Sequence, residues 1–330
     1  MAEWLYEAGI GEARAALVQD GEIIEAHIEP EEDGLLAGTI CIGRLTEILV
    51  PARRGILTCE RDEVLLEPLP KALTQGGQLL VEIVRQAIPE PGAVKRAKAR
   101  LALPEAKPRI GPDLLARITA TGIPIRHISL HEHDSLEESG WSELQEQATT
   151  GIIPFTGGTL RISLTPAMTL LDIDGHLPPP ALAVAAARAV AAVIRRFDIS
   201  GSIGIDFPTL ANKAERLATA AAFDAILPLP YERTAINGFG FLQIIRPRAR
   251  ASTCERLHYE RVPAAARALV RVAQRSGIIG NTAITAHPSV IAHLGARKEW
   301  LDQLAIQLGG TIALQSDTGL AIGSGHVAKA

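Results

Sequence analysis

Two apolar segments of the chain end in aspartates whose spacing could bind a metal ion. They are Leu170–Gly175 (LLDIDG) and Ile203–Phe207 (IGIDF), and in each the residues before the first aspartate are apolar. If both are strands of one crossover unit, their carboxyl ends meet at one edge of the sheet, where open α/β sheets bind ligands. Neighbouring strands lie about 4.8 Å apart. Asp172 and Asp206 are therefore predicted to share one ion.

The carboxylates favour a hard divalent cation. Two close carboxylates repel each other unless a cation or a proton lies between them, and oxygen ligands suit Mg²⁺, with Mn²⁺ as an alternative. Asp174 lies two residues after Asp172 and so on the same face of a strand. A single strand-end aspartate more often caps the next helix, but two at matched strand ends favour a metal. The predicted metal ligands are Asp172, Asp174 and Asp206.

The elements that must position these aspartates form an α/β pattern. The strand–helix–strand order predicts a parallel crossover, which is right-handed by the general rule. The predicted elements are strands at 160–164, 168–173, 199–207 and about 234–246, with helices at 178–197 and 211–225.

The segments on either side of this unit have different patterns. Two strands around Asp20-Gly21, a hairpin signal, occupy 3–30, and residues 34–103 carry short strands with regular turns, typical of a small closed barrel. A helix at 111–121 and a strand at 123–130 precede His131, Glu132 and His133, which are interpreted as a polar loop rather than a metal site. A helix at 263–275 opens a small α+β tail.

Charge and composition limit how the protein could contact nucleic acid. The 330 residues are 47% hydrophobic and only 4% aromatic, and the net charge of −4 lacks the basic excess of typical nucleic-acid binders. Any such contact must come from local patches. Two basic runs could form such patches. For each, the alternative is a solvent-exposed charged face, and for the first run this alternative and nucleic-acid binding are equally favoured. The runs are Lys95, Arg96, Lys98 and Arg100, and then Arg246, Arg248 and Arg250.

The three cysteines, Cys41, Cys59 and Cys254, form neither a disulfide framework nor a zinc-binding spacing. Cys41 and Cys59 lie in apolar, strand-like segments and are predicted to be buried thiols. The apolar stretch Ala181–Ile194 is interrupted by Arg188 and is too short to span a bilayer. No signal peptide is evident, so a cytoplasmic protein without a membrane partner is expected.

The order of these motifs resembles the RNase E/G family of endoribonucleases. The residues that carry the resemblance are 157–160 (GGTL), 171–174 (LDID), 205–207 (IDF) and 239–242 (FGFL), followed by Arg246 and Arg248. The resemblance implies an RNase H-like subdomain from 1–33 with 106–150, an OB-type RNA-binding barrel at 34–105 inserted into it, a DNase I-like α/β catalytic domain at 151–252 and a small α+β C-terminal domain at 253–330.

By this resemblance the chain is a magnesium-dependent endoribonuclease that cleaves single-stranded RNA. In the family two aspartates and an asparagine bind the ion that activates water, and these roles carry to Asp172, Asp206 and position 174, which is aspartate here. Asp172 and Asp206 are the predicted catalytic residues. The RNA-binding residues would be Lys95, Arg96, Lys98, Arg100, Arg246 and Arg248.

Several departures from the family leave other functions open. The segment for the 5′-monophosphate sensor is shortened, and Cys254 stands alone where the family has a zinc-linking pair, so no zinc is expected. Without that link, a monomer and a homodimer through the catalytic domain are both compatible with the sequence. The alternatives are a catalytically weakened RNA-binding or assembly protein and a metal-dependent hydrolase of another phosphoester.

Overall fold

The structure is a computed structural model that describes residues 1–31, 34–130 and 132–330. His131 of the predicted polar loop, and Glu32 and Asp33 of the first segment, lie outside the described residues. The described chain has mixed α/β content, with a four-stranded sheet, a closed barrel, a six-stranded sheet, a three-stranded sheet and a two-stranded ribbon.

The four-stranded sheet has the order β11-β1-β2-β3. Its turn between β2 and β3 contains Asp20 with φ 53° and Gly21 with φ 84°, so the predicted hairpin is confirmed. The predicted helix after the barrel is shorter than expected and begins after Asp113, whose side chain accepts from the backbone nitrogen of Ala116. The elements are β1 (Glu3–Ala8), β2 (Glu12–Gln19), β3 (Glu22–Pro30), α1 (Leu114–Thr119) and β11 (Ile125–His127).

A closed five-stranded barrel with the order β10-β6-β5-β4-β7 lies between β3 and β11 in the chain. Because β11 pairs in parallel with β1, the barrel is an insertion within one sheet. The predicted barrel is confirmed, and Cys41 and Cys59 are buried in its core as predicted. The elements are β4 (Ile40–Val50), β5 (Arg54–Cys59), β6 (Asp62–Leu66), β7 (Gln78–Arg85) and β10 (Ala97–Leu101), with a ribbon of β8 (Ile88–Glu90) and β9 (Ala93–Lys95).

The six-stranded sheet, with the order β12-β13-β14-β15-β17-β16, carries the aspartates. Strands β14 and β15 are parallel and α4 connects them, so the predicted parallel crossover is confirmed. The elements are β12 (Ile152–Phe155), β13 (Gly158–Leu164), β14 (Thr169–Gly175), α4 (Pro179–Arg196), β15 (Gly201–Asp206), α5 (Lys213–Asp224), β16 (Glu232–Arg233) and β17 (Phe241–Arg246), preceded by α2 (Ser135–Glu138) and α3 (Trp141–Thr150).

One face of this sheet is buried under α4 and α5. Helix α4 begins with prolines, which are tolerated in a first turn, and its buried stripe is rich in alanine, including Ala183, Ala187 and Ala191. These small side chains share one core with sheet residues such as Leu171 and Ile205. The opposite face of the six-stranded sheet, called the open face below, carries the aspartates.

The last sheet strand differs from the prediction at its start. Residues 234–240 form a loop rather than a strand, and β17 begins only at Phe241. Asn237 and Gly240 cause the difference, because the asparagine side chain accepts backbone hydrogen bonds within the loop and Gly240 has φ 95°. Neither conformation fits an extended strand.

The C-terminal part is α+β, as predicted, around a sheet with the order β19-β18-β20. Its long helix α7 contacts the first sheet through buried ion pairs between arginines of α7 and Glu7 and Glu12. The described part of the chain contains no helix that is both long and apolar enough to cross a membrane. The elements are α6 (Thr253–Tyr259), α7 (Arg261–Arg275), β18 (Thr282–Ala286), α8 (Pro288–Gly295), α9 (Lys298–Leu308), β19 (Ile312–Ser316) and β20 (His326–Lys329).

Candidate metal and RNA site

Asp172 of β14 and Asp206 of β15 lie side by side on the open face. The two strands run parallel, with Leu171 opposite Ile205 and Asp172 opposite Asp206. The leucine and isoleucine are buried, whereas both aspartates are exposed. Because paired residues of neighbouring strands point to the same side of a sheet, one ion can contact both carboxylates. The predicted juxtaposition is present, and metal binding itself stays a prediction.

Asp174 lies on the same face but has a protein partner. Its Oδ2 accepts a hydrogen bond from Nε of Arg161 at 3.1 Å. Arg161 stands opposite Asp172 in the β13–β14 register, and both side chains of the ion pair are more than half exposed, at 56% and 64%. The carboxylate predicted as a third ligand is therefore turned toward a guanidinium.

The donor set is consequently a carboxylate pair. Within residues 1–31, 34–130 and 132–330, no group of three or more His, Cys, Asp or Glu side chains is arranged to hold a metal ion. Mg²⁺ usually keeps several waters and binds proteins through only one or two carboxylates plus substrate phosphates. An exposed pair such as Asp172 and Asp206 fits that mode, and it leaves room for water and for a phosphate.

A short loop before β17 is held firmly beside the pair. Oδ1 of Asn237 accepts hydrogen bonds from the backbone nitrogens of Phe239 at 2.9 Å and Phe241 at 3.0 Å. The backbone nitrogen of Phe207 donates to the carbonyl oxygen of Gly240 at 3.2 Å. A Cβ at Gly240 would lie 2.2 Å from the oxygen of Phe207, so only glycine allows this contact. The loop is thus anchored next to the end of β15.

The open face is apolar immediately beside the acidic pair. Phe241 stands opposite Asp206 in the β15–β17 register. A Cβ at Gly204 would lie 2.6 Å from Cζ of Phe241 and 2.8 Å from Cδ2 of Leu170. These two side chains therefore close over Gly204 from both sides and form an apolar floor next to the carboxylates.

Phe239 and Phe241 are candidate functional residues that the sequence prediction missed. The prediction placed both in the interior of a strand, whereas Phe239 lies in the anchored loop and is 85% exposed. The available signal was Gly240 within the run Phe239-Gly240-Phe241, since a glycine in the interior of a predicted strand often marks a bulge or a close backbone approach.

The basic run on the barrel is neutralised by acidic neighbours. Each of its four cations forms an ion pair with a glutamate of the barrel or its ribbon, at 2.7 to 3.1 Å: Lys95 with Glu90, Arg96 with Glu63, Lys98 with Glu67 and Arg100 with Glu82. Hydrogen bonds from Lys98 and Arg54 lower the pKa of Glu67 to about 2. Phosphate binding by these residues stays a prediction, and a phosphate would have to compete with the carboxylates.

Arg246 and Arg248 hold structural positions away from the acidic pair. Arg246 stands opposite Gly201, at the other end of β15 from Asp206, and its Nη1 donates to the carbonyl oxygen of Ile199 at 2.7 Å. The two ends are five residue steps apart along the strand, which corresponds to roughly 16 Å.

Arg248 forms an ion pair with Glu255 in the first turn of α6. The neighbouring Arg250, which belongs to the same basic run, is paired with Asp198 at 3.1 Å. Both partners are carboxylates of the protein itself. Arg248 also packs against Gly201, at the end of β15 opposite Asp206, so Arg246 and Arg248 are not beside the aspartates.

The polar loop after β11 and the third cysteine also have clear positions. His133 is exposed and its Nε2 lies 3.7 Å from Oε2 of Glu138, which agrees with its interpretation as part of a polar loop. Cys254 is buried, and burial raises the pKa of its thiol.

Comparison with known protein families finds no match, and comparison with curated proteins finds none either.

Proposed function

We propose that this protein is a magnesium-dependent endoribonuclease that cleaves single-stranded RNA in the manner of the RNase E/G family. One observation carries the proposal: the parallel register places Asp172 opposite Asp206 on an exposed sheet face. A protein that only binds RNA gains nothing from a repelling carboxylate pair, whereas a phosphodiesterase needs such a pair for its cation.

Asp172 and Asp206 would hold the ion in this proposal, with Mn²⁺ as a substitute for Mg²⁺. The backbone nitrogen of Ile173 donates to Oδ1 of Asp172 at 3.0 Å, which orients that carboxylate before any ion arrives. A bound ion at this position supplies an activated water and stabilises charge that develops on the phosphate.

Arg161 would contact the substrate strand. Its guanidinium is on the open face beside Asp172 and Asp174, and more than half of the side chain is exposed. Exchange of the Asp174 carboxylate for a phosphate would leave the arginine paired throughout, because guanidinium binds both groups in the same geometry.

The proposed function also implies a subdomain type for the barrel and for each of the two larger sheets. The inserted five-stranded barrel would be an OB-type RNA-binding barrel, and the four-stranded sheet around it an RNase H-like subdomain. The six-stranded sheet with α4 and α5 would be the DNase I-like catalytic domain. Support comes from the barrel's closure and from its insertion between β3 and β11 of one sheet.

A cleavage assay tests the proposed function. A 5′-labelled unstructured oligoribonucleotide is incubated with Mg²⁺ and the wild type, Asp206→Asn or, as a matched control, Asp302→Asn on α9, which is also exposed. We expect cleavage by the wild type and the control, and RNA binding without cleavage by Asp206→Asn. Chelation of the metal should stop the wild type as well.

Two outcomes would contradict the proposal. RNA binding without cleavage in every form would favour the catalytically weakened RNA-binding or assembly protein. Cleavage that survives Asp206→Asn at the wild-type rate would place the activity elsewhere or in a contaminant.

A further inference from the structure

Phe239 differs from every other aromatic residue of the protein in its exposure. The chain has three Trp, three Tyr and six Phe residues, all within the described ranges, and the other eleven are buried or half-buried. Phe239 is 85% exposed. An exposed apolar ring lacks the stabilisation that burial would provide. A partner that covers the ring would supply that stabilisation on binding.

The backbone that carries the ring is held in place by hydrogen bonds on both sides of Gly240. The Asn237 side chain accepts hydrogen bonds from the backbone nitrogens on both sides of Gly240, and Gly240 itself is bonded to Phe207. A rigid platform loses little conformational entropy when a ligand binds. This is the arrangement expected of a binding residue rather than of a frayed loop.

The backbone of Phe239 also lies close to the acidic pair. Phe207 directly follows Asp206, and Gly240, bonded to Phe207, directly follows Phe239. The next residue, Phe241, stands opposite Asp206 and contributes to the apolar floor. One side of the acidic pair is therefore aromatic and apolar, while Arg161 lies on the other side.

We infer that Phe239 stacks against an unpaired base of the RNA strand whose phosphate lies at Asp172 and Asp206. The inference rests on the proposed function, since it assigns a substrate contact to the same site. Every base has a π face, so stacking tolerates any sequence but requires that the base be unpaired. Phe239 thereby makes the site selective for single strands. The barrel cations, which are already paired with glutamates, are poorly suited to provide this selectivity.

A fluorescence experiment tests this contact without relying on catalysis. Phe239→Trp is placed in the Asp206→Asn background and titrated with an oligoribonucleotide, and with the same strand carrying one abasic residue at the cleavage position. The matched control is Ile306→Trp, because Ile306 on α9 is similarly exposed at 81%. The three native tryptophans are buried and contribute a constant background.

We expect the intact strand to quench the Phe239→Trp signal, the abasic strand to quench it much less, and neither strand to change the Ile306→Trp signal. Phe239→Ala should weaken binding of the intact strand about 5- to 150-fold, the range of one stacked base. It should leave binding of the abasic strand nearly unchanged, because that strand has no base to lose.

Equal quenching by the two strands, or unchanged affinity of Phe239→Ala for the intact strand, would overturn the stacking contact alone. Cleavage of RNA by the wild type in that case would leave the proposed function standing. Failure of the wild type to bind or cleave any RNA would overturn both inferences together.

Discussion

Asp172 and Asp206 stand directly opposite each other on parallel neighbouring strands, although the eighteen-residue helix α4 lies between them in the sequence. Backbone hydrogen bonding of the sheet, rather than a flexible loop, therefore sets the spacing of the two carboxylates. Sites built on strands hold their geometry more closely than sites on loops. The charged side chains near this pair and on the barrel differ in the partners that they contact. Those partners determine what each substitution is expected to do.

Asp174 should matter less than its two neighbours. Because its carboxylate is paired with Arg161 at 3.1 Å, Asp174→Asn removes a charge that the arginine already balances, and the amide oxygen can still accept a hydrogen bond. We expect kcat/KM for RNA cleavage to fall by less than about tenfold, or about 1.4 kcal/mol. Asp172→Asn, measured in parallel, should abolish cleavage; equal losses in the two variants would mean that Asp174 is a direct ligand.

Freeing the barrel cations should strengthen RNA binding. Glu63→Gln with Glu82→Gln removes the carboxylate partners of Arg96 and Arg100 while keeping the side-chain size. Each guanidinium that then reaches a phosphate should steepen the plot of log affinity against log salt concentration by about 0.7. Binding isotherms at several salt concentrations measure this slope.

The control for that measurement is Glu138→Gln, which changes an exposed glutamate outside the barrel. It changes the net charge by one unit, half the change made by the double variant, and should leave the slope unchanged. An unchanged slope in the double barrel variant as well would show that RNA does not contact this face of the barrel.

Part of this architecture was predictable from the sequence because its signals are local. The apolar runs that lead to Asp172 and Asp206 predicted neighbouring parallel strands, and regular turn signals predicted the barrel; both are present. Only Asp206 lies at a strand end, because β14 continues to Gly175 and Asp172 lies within it. The basic run at 95–100 was also visible, but its neutralisation was not. Three of its four glutamate partners lie on other strands of the barrel or just after one, and only folding brings them together.

The loop before β17 shows a second limit. The sequence predicted a strand from about 234, but hydrogen bonds of Asn237 and the close approach of Gly240 to Phe207 form a loop there instead. The buried charges between the first sheet and α7 were missed for a different reason. Glu7 and Arg271 are separated by 264 residues, and no short sequence motif indicates that two such distant residues form an ion pair.

Arg246→Ala should lower stability and leave RNA binding intact. Arg246 donates to the carbonyl oxygen of Ile199 at 2.7 Å and lies at the opposite end of β15 from Asp206. Loss of a hydrogen bond from a charged group should lower the free energy of unfolding by about 1.5–3 kcal/mol, measurable by urea denaturation. A clear loss of RNA affinity in the folded variant would instead restore the phosphate-binding role predicted from sequence.

Acid should weaken the contact between the first sheet and α7. Burial alone would raise the pKa of Glu7, but the guanidiniums of Arg14, Arg271 and Arg275 outweigh burial and lower it from 4.5 to about 2. The resulting stabilisation is fully present above pH 4.5 and is lost as the pH falls toward 2. It is on the order of 3 kcal/mol.

Urea denaturation at a series of pH values between 6 and 3 measures this loss. In Glu7→Gln the dependence should be shallower, though not absent, because the pKa of Glu12 is also lowered by Arg271 and Arg267 against the effect of its burial. The same pH dependence in Glu7→Gln and in the wild type would contradict the assigned role of Glu7.

The most direct measurement of the central claim is a calorimetric titration of the RNA-free protein with Mn²⁺ and with Mg²⁺. The account predicts a site that binds either ion in the wild type and is lost in both Asp172→Asn and Asp206→Asn, while Asp302→Asn retains it. Binding that persists unchanged in the two variants, or no binding by the wild type even with RNA present, would contradict the claim that this pair holds a metal ion.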